Sequence, residues 1–156
     1  ANGHGLKSRK PNVITSLELD PAEMEKKNEH LQAKYRDIQA NEVRFEETNL
    51  EDAELAIVAF GSAARISYKA MENARAQGID GGLCRPITRW PCPEKEIAAL
   101  SRRVKGLLVV EINAGQMVYD VKLAAEGRIP VGHYGRLGGI VPSPDEIVDA
   151  LKKLLD

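Results

Sequence analysis

Cysteine is scarce in this sequence: Cys84 and Cys92 are the only two among 156 residues. Two thiols cannot supply the four thiolates of an iron–sulfur cluster or of an all-cysteine zinc site. They make no disulfide framework either, so a reducing cytoplasm is the expected location. Aromatic residues are 4% of the chain, too few for a base-stacking surface. The formal net charge is −1, which offers no basic face to nucleic acid or to an acidic membrane. No apolar run approaches the roughly 18 residues of a membrane span, and no signal-peptide pattern is present. Neither nucleic acid nor a membrane is therefore an expected partner. Catalytic signatures are missing as well: there is no GxSxG, no HExxH, no GxGxxG, no GxxxxGKS/T and no GDG-type diphosphate motif. His4, His30 and His133 are scattered, and Cys84 has no evident histidine partner. No catalytic residue and no metal ligand is assigned.

What remains is a chain long enough for one cored domain, 43% hydrophobic and 29% charged. Its organising stretch is LAIVAFGSAARIS, Leu55–Ser67. The continuous apolar run Leu55–Phe60 suits a strand covered on both faces. Gly61-Ser62 breaks it, and a helix rich in small alanines follows over Ala63–Gln77, closed by Gly78. Leu107–Ile112 is a second buried strand. Glu111 and Asn113 flank its end, Gly115 permits a tight turn, and Gln116 opens a helix to about Glu126. These polar groups either bind a ligand or partner, or tie the loop to its neighbours. Asn41–Asn49 alternates in polarity as an edge strand does. Ile79–Arg85 is a strand weakened by Gly81-Gly82. Pro130–Tyr134 is the last strand.

Asp20-Pro21-Ala22-Glu23 starts a helix that runs to about Asn41, with Asp20 as cap and Pro21 in the first turn. Its apolar stripe, Met24, Leu31, Tyr35 and Ile38, is narrow, so it lies on a surface, its own domain's or a partner's. The prolines of 86–93 stiffen a connection carrying Trp90, which either plugs the domain edge or sits on a rigid loop shaping a pocket or docking surface. Pro93-Glu94 begins a helix with Ile97, Leu100 and Val104 on its apolar side. Arg136, among Gly135, Gly138 and Gly139, either clamps an anion or pairs with a carboxylate. Ser143-Pro144-Asp145-Glu146 is a capping box, and the final helix buries Ile147, Val148, Leu151, Leu154 and Leu155.

This order predicts an α/β fold of three layers, α/β/α, whose mostly parallel sheet has one antiparallel edge strand. Residues 1–19 read as a linker or the tail of an upstream domain, 20–42 as the N-terminal helix, and 43–156 as the domain. The chain opens Ala1-Asn2-Gly3 without Met, which reads as a processed chain or a piece of a longer one. If the two apolar strands are neighbours, their carboxyl ends bring Gly61 and Ser62 beside Asn113 and Gln116, where α/β sheets gather ligands.

The chain resembles the C-terminal part of the α subunit of the 2-oxoacid:ferredoxin oxidoreductases, the branched-chain (2-oxoisovalerate) type most closely. The resemblance runs over essentially the whole length. It rests on LELDPAEMEKKNEHLQAKY (17–35), NLEDAELAIVAFGSAARIS (49–67), LCRPITRWPCPEKEI (83–97), LLVVEINAGQMVYDV (107–121), YGRLGG (134–139) and VPSPDEI (141–147). It implies a transketolase C-terminal-like domain with five strands. It also implies coenzyme A-dependent oxidative decarboxylation of a 2-oxoacid, with electrons passing to ferredoxin. Thiamine diphosphate, magnesium and iron–sulfur clusters then belong to the parent complex, with none bound by this chain. The pyrimidine-binding domain of the full subunit is absent from this sequence, so the chain is expected to be inactive alone and to serve assembly. Gly61, Ser62, Asn113, Gln116 and Arg136 are expected contact residues by topology. Two other readings stand beside this one. One is a free-standing module binding an anion or part of coenzyme A. The other is self-association, as a homodimer, through the Pro21–Asn41 helix.

Overall fold

The computed structural model describes residues 16–155. The earlier part of the lead segment, with His4, lies outside the described residues. The chain divides into two units, Ala1–Asp37 and Ile38–Asp156.

Helix α1 spans Pro21–Asn41. Asp20 caps it, its Oδ1 accepting from the N–H groups of Ala22 (2.8 Å) and Glu23 (3.3 Å). Glu23 and Lys26 pair one turn on at 2.6 Å. No residue of α1 is buried, and Leu31 and Tyr35 are each about 40% exposed.

The second unit holds a five-stranded sheet of order β1-β3-β2-β4-β5. The strands are β1 (Phe45–Thr48), β2 (Leu55–Ala59), β3 (Gly81–Pro86), β4 (Gly106–Glu111) and β5 (Val131–Gly135). β1 runs antiparallel to β3, and every other pair is parallel. The helices are α2 (Gly61–Ala76), α3 (Glu94–Leu100), α4 (Met117–Ala125) and α5 (Pro144–Lys152). The apolar strands β2 and β4 are neighbours at the centre, with Ala59 opposite Val110.

Every residue of β2 and β4 is buried because alternate side chains enter two separate cores. Ala56, Val58, Leu107 and Val109 pack with residues of α3 and α4, among them Ile97, Leu100 and Met117. Leu55, Ile57, Leu108 and Val110 pack on the other face with Met71 of α2 and Ile147 and Leu151 of α5. Ala63, Ala64, Ala70 and Ala74 are all buried and allow α2 to approach the sheet closely. Each fully buried Leu or Ile contributes about 2 kcal/mol by area removed from water.

Three local expectations are corrected. The glycines of β3 do not weaken it: a Cβ on Gly82 would collide with Leu50 Cδ2 and come within 2.7 Å of the Asn49 carbonyl oxygen. Glycine there lets the preceding turn lie on the strand. Trp90 is 54% exposed, so it is not a buried plug. In the last helix Ile147, Val148 and Leu151 are buried, whereas Leu155 is exposed, because α5 ends at Lys152. No described helix is long and apolar enough to cross a membrane.

Candidate functional site at the carboxyl ends of the central strands

The end of β4 is built around one carboxylate. Glu111 is fully buried. Its Oε1 accepts from Met117 N–H (2.8 Å) and from the Asn113 side-chain amide (3.2 Å). Its Oε2 accepts from the N–H groups of Gln116 and Val118, both at 3.1 Å. Asn113 Oδ1 in turn accepts from Gly115 N–H at 2.7 Å. A buried carboxylate thus satisfies the otherwise orphan N–H groups at the start of α4 and meets the favourable end of its dipole. Burial pushes the Glu111 carboxyl up. The donors from Met117, Gln116, Asn113 and Val118 outweigh it and hold the group below the usual carboxylate range. With four donors engaged, this side chain locks the β4–α4 junction and is poorly placed to take a substrate proton.

His133 of β5 stands next to it, Nε2 at 3.7 Å from Glu111 Oε2. Sequence reasoning left His133 among scattered histidines, since only the β4–β5 pairing brings it here. Gly135 is fixed by the same crowding: a Cβ would collide with the Asn113 carbonyl oxygen and lie 2.7 Å from His133 Cε1. Arg136 turns away from the junction. Its guanidinium pairs with Glu146 of α5 at 2.9 Å, and its backbone N–H donates to the Glu111 carbonyl at 3.3 Å. Ser143 N–H first, then the Arg136 charge, hold Glu146 below the usual carboxylate range.

Gly61 and Ser62 open α2 at the end of the neighbouring strand β2. They border a cleft of about 580 Å³ with Arg65 and Tyr68 of α2, Leu83 of β3 and Glu46 of β1. Gly61 has φ +55°, a left-handed conformation suited to glycine at the sharp entry into α2. The structure therefore gathers Asn113 and Gln116 around Glu111, ties Arg136 to that junction by backbone, and sets Gly61 and Ser62 on the cleft. Arg65, Tyr68 and Arg85 were missed as cleft residues. Strand β3 crosses between β1 and β2, an order that local patterning does not carry.

Neither thiol is activated as a nucleophile. Burial pushes Cys84 up to about 12 and Cys92 up to about 11, so both stay protonated at neutral pH. Among the described residues no group of three or more His, Cys, Asp or Glu side chains is placed to hold a metal ion.

Residues 53–147 match the family model described as pyruvate:ferredoxin oxidoreductase core domain II. The ketoisovalerate oxidoreductase subunit VorB of Methanothermobacter marburgensis is 40% identical over 150 residues, covering 96% of this chain and 42% of that subunit. The 2-oxoglutarate synthase subunit KorA of Methanothermobacter thermautotrophicus is 36% identical over 104 residues, 67% of this chain and 28% of that subunit. This chain therefore spans about two fifths of the VorB subunit it matches, and less of KorA. Among solved structures, the 2-oxoglutarate:ferredoxin oxidoreductase from Magnetococcus marinus, with 2-oxoglutarate, coenzyme A and succinyl-CoA bound, superposes with a TM-score of 0.75. That match has 25% identity and covers 89% of this chain and 24% of the other. A split-gene transketolase in an inactive beta4 tetramer shares the fold alone, at a TM-score of 0.60 and 19% identity, over 70% of this chain and 41% of that one.

Proposed function

Since this chain belongs to the pyruvate:ferredoxin oxidoreductase family through its core domain II, we propose that it is an assembly domain of a 2-oxoacid:ferredoxin oxidoreductase, part of the α subunit. The 2-oxoacid is 2-oxoisovalerate, oxidised and decarboxylated with coenzyme A in the cytoplasm, and ferredoxin takes its electrons from the complex rather than from this chain. The observation that carries this reading is the 40% identity, over 96% of the chain, with a ketoisovalerate oxidoreductase subunit.

The geometry supports a domain that holds other parts in place. Glu111, Asn113 and the N–H of Gln116 bond to each other, and Arg136 is spent on Glu146. Thiamine diphosphate, magnesium and the clusters are assigned to other chains or domains of the complex. For the clusters, this chain offers two thiols, Cys84 and Cys92, both pushed upward by burial. When bound, those groups supply the carbon chemistry and electron transfer. This chain contributes a rigid sheet whose strand-end loops meet neighbouring domains. Helix α1, with no buried residue of its own and with Leu31 and Tyr35 exposed, provides a second contact surface for a partner subunit.

Co-expression with the other subunits of the complex tests the reading. The chain is expected to co-purify with them, and Leu31→Glu with Tyr35→Glu to weaken that association. A chain that stays separate from those subunits overturns the reading, and sedimentation of the separate chain shows whether it pairs with a second copy instead.

A further inference from the structure

A cleft lies beside the first turn of α2, with Gly61 and Ser62 of the β2 end on its border. Its floor is apolar: Leu83 and Ala64 border it and are 3% and 2% exposed. Tyr68 forms an aromatic wall, and Thr48 and Ser62 bring hydroxyls to its edge. Three charged side chains share the space. Glu46 and Arg85 pair across β1 and β3 at 2.8 Å and offset one another. Arg65 borders the same space and makes no ion pair with any described residue. An apolar floor, a few convergent polar groups and a volume of about 580 Å³ are the makings of a small-molecule site. An uncompensated guanidinium sets the sign of its ligand, because its N–H donors match a carboxylate or a phosphate in pairs.

We propose that this cleft binds a small organic anion, with its carboxylate or phosphate on Arg65 and its flat or apolar body against Leu83, Ala64 and Tyr68. An aromatic body gains most, through contact with the Tyr68 ring. A neutral analogue forgoes the guanidinium, and an inorganic anion forgoes the floor. Open space around Gly61, where an added Cβ would meet nothing within 4 Å, leaves the mouth clear.

Calorimetric titration of the full chain with phenyl phosphate, at fixed ionic strength, tests this. Inorganic phosphate and phenol are titrated alongside. Phenyl phosphate is expected to saturate one site, with each fragment weaker by about tenfold or more, as the loss of a charged hydrogen bond or of the apolar contact implies. Arg65→Gln weakens phenyl phosphate by about tenfold. Tyr68→Ala weakens phenyl phosphate but leaves inorganic phosphate unchanged. Arg102→Gln, an exposed arginine at the far end of α3, changes neither, and melting curves confirm that each variant is folded. Absence of saturable heat, equal affinity for phosphate and phenyl phosphate, or an Arg65→Gln variant that binds normally overturns the proposal. The readout is binding by the chain itself, so its failure leaves the subunit reading untouched, and the reverse holds too.

Discussion

At the scale of single residues, Glu111 is the side chain on which the strand-end geometry depends. Glu111→Gln keeps the shape but removes the charge and turns one acceptor into a donor facing N–H groups. It should cost about 2 kcal/mol, the penalty of leaving a buried donor unmatched, read as a lower urea midpoint at neutral pH. The effect has a pH signature. The folded carboxyl titrates below its ordinary value of 4.5. Its contribution is therefore complete above 4.5 and is lost as pH falls through the lower folded value. The gap in urea midpoint between the parent protein and Glu111→Gln should shrink as pH drops through that range. A gap independent of pH would show that the carboxylate charge is not what locks the junction.

Arg75 is the second such residue. Its guanidinium reaches Asp52 at 2.6 and 2.9 Å, the Asn49 carbonyl at 2.8 Å and the Gly81 carbonyl at 2.7 Å, so it joins α2, the turn before β2 and the start of β3. Arg75→Gln should lower the melting temperature more than Asp52→Asn does, because only the former strands two carbonyls. Equal effects would reduce the clamp to a surface ion pair. Neither residue was legible as a keystone in the sequence. Polar Glu111 and Asn113 at a strand end were visible there, but the converging N–H groups exist only once α4 has turned back over β4. Arg75 looked like one more charge on an alanine-rich helix.

At the scale of elements, the strands and their layers follow from pattern. β2 and β4 are central because every residue in them is apolar or small, apart from the terminal Glu111 of β4 that caps α4. β1, four residues with none buried, lies at the edge, antiparallel to β3. The sequence misled where backbone approach decides the residue. Gly81-Gly82 looked like a weakness in β3, yet Gly82 is the only residue type that admits the Asn49 carbonyl and the Leu50 side chain. Gly82→Ala should cost about 1–3 kcal/mol, as overpacking of a closed site does, and unchanged denaturation would contradict that packing. The capping box of α5 was legible and is formed. Ser143 Oγ accepts from Glu146 N–H at 3.2 Å, and Glu146 Oε2 accepts from Ser143 N–H at 2.8 Å. Ser143→Ala should therefore lose about 1 kcal/mol in a urea titration. No change there would mean that Arg136, also bound to Glu146, holds the helix start by itself.

For the whole molecule, the three-layer domain offers strand-end loops while Glu111 at the β4–α4 junction is turned inward, and α1 offers a separate exposed surface. The resemblance was legible because long motifs stand in one order; the cleft was not, because its residues come from β1, β3 and α2. If this chain works only inside a 2-oxoacid:ferredoxin oxidoreductase, as proposed, activity needs the whole complex. The most direct measurement is 2-oxoisovalerate-dependent, coenzyme A-dependent reduction of ferredoxin by the reconstituted complex, compared with the separate chain. Turnover is expected from the complete complex, with loss when the polypeptide bearing this domain is left out and none from the chain alone. Turnover by the separate chain, or full activity of the remaining subunits without it, would overturn the assembly role.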